Sequence, residues 1–191
     1  IGDKSLSKRD FSRVIKPLKL LGVNIKSKKD LIPIEITGTD FLRPITYYEK
    51  IGSAQVKSCL ILAALNTPGK TIINSKKSRD HTEIMLKYLK YPIKVQRKKS
   101  YDKISVQGLN QFKSFNYNVP GDISSAAFFI VLTLLSNKSK IIIKNINVNK
   151  SRTGIITILN KMGANIKLRN RKIHNGEKIA NIHVESKKKL K

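Results

Sequence analysis

Tryptophan is absent, cysteine occurs once, histidine three times, and acidic side chains number 12 against 39 basic ones. Each shortage excludes something. With Cys59 alone no internal disulfide can form, and a cysteine inside the apolar run 59–65 reads as a small core residue in a protein of the reducing cytoplasm. His81, His174 and His183 show no metal-ligand spacing among themselves or with Cys59, so no metal site is indicated. The longest apolar stretches, 59–65 and 126–135, are far shorter than a membrane span, and no secretory pattern opens the chain. A soluble protein without a membrane partner is expected. The content that remains, 40% apolar in 191 residues, is enough for an aliphatic core in one or two modest domains.

The scarcity of acids leaves a net charge of +27, which ordinarily points to nucleic acid or a membrane surface. Here the excess is diffuse. Lysine supplies 31 of the basic residues, and lysine, isoleucine and asparagine together fill 73 of 191 positions, the mark of a coding bias. Aromatic residues make up only 6% and do not alternate with the basic ones as base stacking on a single strand requires. No nucleic-acid partner is expected, although a basic nucleic-acid-binding module stands as the alternative from another functional class. The chain starts at Ile1 without methionine and ends on the basic cluster 187–191, which reads as an excerpt from a longer protein.

The segment Gly52-Ser53-Ala54-Gln55-Val56-Lys57-Ser58 concentrates polar atoms at one end of a helix whose remainder, 59–65, has no polar face. A helix apolar on every side is normally buried. Its first turn would present unpaired backbone N–H groups and the positive end of the macrodipole, beside hydroxyl, amide and ammonium groups, which suits a phosphate or carboxylate. Serine is also a favoured cap for any core helix.

Three helix-to-strand junctions look alike: Leu20-Leu21-Gly22-Val23-Asn24-Ile25, Leu89-Lys90-Tyr91-Pro92-Ile93 and Lys161-Met162-Gly163-Ala164-Asn165-Ile166. Gly22 and Gly163 stand where a left-handed residue stops a helix; the middle copy has Tyr91-Pro92 instead. Arg9, Arg79 and Arg152 precede the three helices at separations of 70 and 73 residues. The helix 53–65 followed by Lys70-Thr71-Ile72-Ile73-Asn74 is echoed by 124–135 followed by Lys140-Ile141-Ile142-Ile143-Lys144. Further strands are expected at 32–36, 93–96, 104–106, 166–169 and 179–184, so the class is α/β, built from repeated units of about seventy residues. A crossover composition at Val119-Pro120-Gly121-Asp122, after the irregular stretch 110–118, places a domain boundary there: 1–118 and 119–191.

Five motifs, in order, now carry a family resemblance. They are Gly2-Asp3-Lys4-Ser5-Leu6 followed by Arg9; the segment 52–58; Ser78-Arg79-Asp80-His81-Thr82-Glu83; Pro120-Gly121-Asp122-Ile123-Ser124-Ser125-Ala126-Ala127-Phe128-Phe129; and Arg152-Thr153-Gly154 running into Met162-Gly163-Ala164. Together they resemble the 5-enolpyruvylshikimate-3-phosphate synthase (3-phosphoshikimate 1-carboxyvinyltransferase) family over the whole chain. The resemblance implies an inside-out α/β barrel of repeated βαβαββ units in two domains, both incomplete here, with an active site between them. It implies transfer of the enolpyruvyl group from phosphoenolpyruvate to the 5-hydroxyl of shikimate 3-phosphate, with release of phosphate, on the route to chorismate and the aromatic amino acids. No cofactor and no metal are implied, and the partners would be these two small molecules on a cytoplasmic monomer.

Residue by residue, the resemblance assigns Ser53, Ala54 and Gln55 to shikimate 3-phosphate, with Gln55 also close to phosphoenolpyruvate. Ser78 and Arg79 would form the second part of the phosphate site, where a planar guanidinium meets two oxygens at once, and Arg9 would hold phosphoenolpyruvate. Residues 1–118 would then be two of the three units of the domain that grips shikimate 3-phosphate, and 119–191 the start of its companion. His81 and Glu83 are read as local helix-start residues, Arg152, Ser124 and Ser125 as structural. Asp10 stands where the family usually has proline. The family's Lys-Ser and Asn-Ser-Gly-Thr motifs would precede Ile1, and its catalytic aspartate, its Lys-Glu pair and further arginines would follow Lys191. No catalytic residue is therefore assigned, and the excerpt alone is expected to be inactive. UDP-N-acetylglucosamine enolpyruvyl transferase shares the fold and chemistry and is the nearest enzyme alternative; its reactive cysteine sits on a mobile loop, unlike Cys59, which lies in an apolar helix.

Overall fold

The computed structural model describes residues 2–186; Ile1 and the basic cluster 187–191 lie outside the described residues. The chain divides into two compact units, Ile1–Lys113 and Ser114–Lys191. Among the described residues no helix is long and apolar enough to cross a membrane.

The first unit opens with a short 3-10 helix, Leu6–Lys8, and α1 (Ser12–Leu20), followed by the antiparallel hairpin β1 (Asn24–Lys28) and β2 (Leu31–Thr37). A complete βαβαββ module follows: β3 (Thr46–Glu49), α2 (Ala54–Leu65), β4 (Lys70–Lys76), α3 (His81–Tyr88), β5 (Ile93–Arg97) and β6 (Tyr101–Gln107). Its sheet has the order β3-β4-β6-β5, with β3 parallel to β4 and the other pairs antiparallel. Alternation decides the inner face, since Thr71, Ile73 and Ser75 of β4 and Asp102, Ile104 and Val106 of β6 are all buried. Leu60, Ile61 and Ala64 of α2 pack on that face with Leu21, Leu86 and Tyr91. The outward side of α2 is not covered, and Leu62 is 52% exposed. The expectation of burial on every side therefore fails: one sheet face and two flanking helices enclose only part of the helix circumference.

The second unit repeats the pattern with α4 (Ile123–Leu135), β7 (Lys140–Asn147), α5 (Gly154–Lys161), β8 (Asn165–His174) and β9 (Glu177–Glu185). Its sheet order β7-β9-β8 reproduces β4-β6-β5, and a parallel bridge between Gly121 and Ile146 stands at the place of β3. Ile123, Ala126 and Ile130 of α4 pack there with Ile156, Ile182 and Val184.

All three amphipathic helices end in the same hydrogen-bond arrangement. The N–H of Val23, Tyr91 and Ala164 reaches back to the carbonyl of Leu18, Leu86 and Leu159 at 3.1, 2.9 and 3.0 Å. That bond requires a left-handed residue just before it. Gly22 and Gly163 supply it at φ +98° and +87°, and in the middle copy Lys90 does so at φ +57°, so the stop falls one residue before the expected Tyr91-Pro92.

Candidate functional site

The tip of α2 is built by Ser53, which adopts an extended conformation (φ −84°, ψ 110°) and accepts the Val56 N–H on its Oγ at 3.3 Å. A serine cap of this kind stabilises a helix by about 1 kcal/mol. The hydroxyl keeps its own proton for a second partner. With the Val56 N–H on Ser53 Oγ and the Lys57 N–H on the Ser53 carbonyl, the N–H groups of Ala54 and Gln55 have no partner among the described residues at the positive end of the helix.

Glu49 fixes the chain that leads into this tip. It is buried at the end of β3, where its carboxylate accepts the Ile51 N–H at 3.0 Å, the Gly52 N–H at 2.8 Å and the Ser75 hydroxyl at 3.1 Å. Charge-assisted bonds of this sort hold a turn more firmly than neutral ones.

The start of α3 lies against the same tip. Lys57 Nζ meets Glu83 Oε1 at 2.8 Å with the two side chains 1% and 3% exposed, and Ser58 Oγ meets Thr82 Oγ1 at 2.7 Å. The Lys57 ammonium, expected from sequence to face the anion, is thus consumed by Glu83, and Glu83 is a buried partner rather than a surface acid. The periodicity carried a signal for this: Lys57, Leu60, Ile61 and Ala64 fall at i, i+3, i+4 and i+7, all on the buried stripe. In the loop before α3, the Ser78 Oγ is buried with no hydrogen-bond partner among the described residues. Arg79 is exposed and, among the described residues, forms no hydrogen bond or ion pair. Its neighbour Asp80 binds Arg97, and this bond holds the Arg97 guanidinium above its ordinary pKa.

On the other side of α2, Arg13 Nη2 donates to Gln55 Oε1 at 3.2 Å. The start of α1 is organised by Asp10, which accepts the Ser12 N–H at 2.7 Å and the Ser12 hydroxyl at 2.8 Å; these two bonds lower the Asp10 pKa. Asp10 therefore does the capping work at the position where proline was expected. Arg9 is extended, exposed and, like Arg79, uncommitted among the described residues. The starts of α1 and α3 are thus each tied to the first two turns of α2, by Gln55 on one side and by Lys57 and Ser58 on the other. No hydrogen bond joins Arg9 or Arg79 to Gln55. A cavity of about 380 Å³ opens elsewhere in this unit, between Tyr48, Lys50, Asn74 and Tyr101.

Sequence reasoning missed Arg13 and Glu49. Nothing local marks either one, because Arg13 meets Gln55 across 42 positions and Glu49 acts on backbone N–H groups. Cys59 lies half-buried in α2, and burial raises its thiol pKa. Among the described residues no group of three or more His, Cys, Asp or Glu side chains is placed to hold a metal.

Fold and tip geometry together define a class: an α/β protein of repeated βαβαββ modules with a donor-rich helix start and, among the described residues, uncommitted arginines beside it. Residues 1–190 match the family described as EPSP synthase (3-phosphoshikimate 1-carboxyvinyltransferase), and the chain belongs to that family. Among its relatives is the 3-phosphoshikimate 1-carboxyvinyltransferase of Vesicomyosocius okutanii subsp. Calyptogena okutanii, 46% identical over 186 residues that make up 97% of this chain and 42% of the relative. That of Caldicellulosiruptor saccharolyticus is 45% identical over 188 residues, again 97% of this chain and 43% of the relative. A solved EPSP synthase structure from Acinetobacter baumannii superposes with a TM-score of 0.83 at 40% identity, covering 100% of this chain and 42% of that one. The chain therefore spans less than half the length of the relatives it matches.

Proposed function

We infer that this chain is the part of a 3-phosphoshikimate 1-carboxyvinyltransferase that receives the phosphate of shikimate 3-phosphate. The reaction is transfer of the enolpyruvyl group of phosphoenolpyruvate to the 5-hydroxyl, with release of inorganic phosphate, in aromatic amino acid biosynthesis. One observation carries the reading. The tip of α2 offers the Ser53 hydroxyl and the Ala54 and Gln55 N–H groups, the adjoining start of α3 offers Ser78 and Arg79, and none of these donors is spent on an acceptor among the described residues. Arg9 supplies a further uncommitted cation for phosphoenolpyruvate. Residues 1–118 are the incomplete domain that grips shikimate 3-phosphate, and 119–191 begin its companion. The protein works as a cytoplasmic monomer on these two small molecules, without cofactor, nucleic acid or membrane. Residues 1–191 alone are expected to bind without turnover, since they span 42% of the relative's length and the resemblance assigns no general acid or base among them.

The test is calorimetric titration of shikimate 3-phosphate into the full-length protein and its Arg79→Met variant. A drop in affinity of about 30-fold or more is expected for loss of charge-assisted bonds to phosphate. Unchanged affinity would remove Arg79 from the site and the reading with it. Transfer to UDP-N-acetylglucosamine is the weaker alternative, since Cys59 is in a helix with its thiolate disfavoured and the relatives matched are named 3-phosphoshikimate 1-carboxyvinyltransferase.

A further inference from the structure

A glutamine amide has two faces of opposite sign, and only one of them attracts a phosphate. Its carbonyl repels the anion, whereas its NH2 group donates two hydrogen bonds. At the tip of α2 the choice between them is made by Arg13. A guanidinium has five donors and no acceptor, so the 3.2 Å contact from Arg13 Nη2 can be satisfied only by Gln55 Oε1. The Gln55 carbonyl is thereby held toward α1, and its NH2 group, which meets no acceptor among the described residues, is left for a ligand.

We propose that Arg13 is a positioning residue of the anion site: it locks the Gln55 amide in the donor-outward orientation and so converts an ambivalent side chain into a dedicated phosphate donor. The inference rests on the reading of α2 as the anion seat and adds a residue to it. Arg13 sits in the first turn of α1, 42 positions from Gln55, and both side chains are exposed, so substitution at either one leaves the packed core untouched. The repeat supports a purpose specific to the first module. In the echoing helix α4, offset by 70 residues, the place of Gln55 is taken by the exposed Ser125, which carries no amide. An amide that needs steering exists only where the arginine reaches it.

The experiment is a double-mutant cycle in the full-length protein, with calorimetric affinity for shikimate 3-phosphate as the readout and thermal midpoint as the control. Arg13→Met is expected to weaken binding about tenfold or more, the worth of one hydrogen bond to a charged ligand. Arg13→Lys is expected to recover most of that loss, because an ammonium also donates only. In a Gln55→Ala background Arg13→Met should change affinity by less than about twofold, since a residue acting through the amide has nothing left to act on. If Arg13→Met weakens binding equally with and without Gln55, Arg13 acts on the ligand directly or through the fold, and the proposal is overturned. If Arg13→Met binds as the wild type does while Gln55→Ala is impaired, the amide orients itself and the proposal again falls, with the anion-site reading intact. Wild-type affinity in Gln55→Ala would defeat both.

Discussion

The starts of α2 and α4 hold equivalent places in successive modules, yet their neighbouring arginines have opposite fates. At α4 the cap is Asp122, whose Oδ1 accepts the Ser124 N–H at 3.0 Å and the Arg152 guanidinium at 2.7 Å, while the same guanidinium bonds Ser124 Oγ. That helix start is closed. At α2 the cap is the neutral Ser53, the link to the following helix runs through the buried Lys57–Glu83 pair, and Arg79 is left over. The lesson is one of charge placement. A carboxylate cap draws in the arginine of the repeat and neutralises both it and the helix dipole. A hydroxyl cap with the ion pair moved inside leaves dipole and guanidinium without a compensating carboxylate among the described residues.

The largest test of this contrast is the buried Lys57–Glu83 pair of the first module. Lys57→Met strands the Glu83 carboxylate in the core, where its Oε2 already lacks a partner, and should cost about 3–5 kcal/mol of unfolding free energy by urea denaturation. Lys57→Met with Glu83→Leu should recover most of that, because two apolar side chains replace a costly buried pair. Next in size is the exchange of arginines. Arg152→Met should leave affinity for shikimate 3-phosphate within about twofold while lowering stability by roughly 0.5–1 kcal/mol, as for a largely surface pair, the reverse of the binding loss expected at Arg79. A binding loss at Arg152 comparable to that at Arg79 would erase the distinction between the two helix starts.

A smaller effect concerns Cys59 on α2. With its thiol pKa raised by burial, alkylation by iodoacetamide should be slower than for a free thiol at neutral pH and should accelerate only above the ordinary thiol range; rapid modification at pH 7 would contradict the burial argument. Smallest is the acid response of Asp10. Its folded-state pKa is lowered by the two bonds from Ser12. Its contribution to stability is therefore complete above the unfolded carboxylate value of about 4 and disappears as pH falls through the lower folded value. Asp10→Ala should flatten that part of the acid unfolding profile; an unchanged profile would show the bonds to be without consequence.

Much of the architecture was legible because it is written in short-range signals. Gly22 and Gly163 announced two helix stops, and the β-branched runs 70–74 and 140–144 announced β4 and β7, each extending further in the structure. The strand β3 escaped notice since Thr46-Tyr47-Tyr48-Glu49 is only four residues long and shows no clear alternation; its pairing with β4 is what makes it a strand. The Ser53 cap at the start of α2 was legible, while the Arg13 and Glu49 contacts around it were not. The role of Lys57 was misjudged, because a lysine in a first turn is ordinarily solvated and the acid that captures it lies 26 positions away.

From the sequence by itself came the repeating α/β module, its helix caps and stops, and the crowding of donors at one helix start. These depend on residues within a few positions of one another, where backbone preference and capping decide the outcome. Only the tertiary structure decided which cations remain free. Lys57 pairs across 26 residues, Arg152 across 30 and Arg13 across 42, and Coulomb attraction acts on distance in space rather than along the chain. The packing of β4 and α3 around α2 set those distances, and with them which arginines stay uncommitted among the described residues.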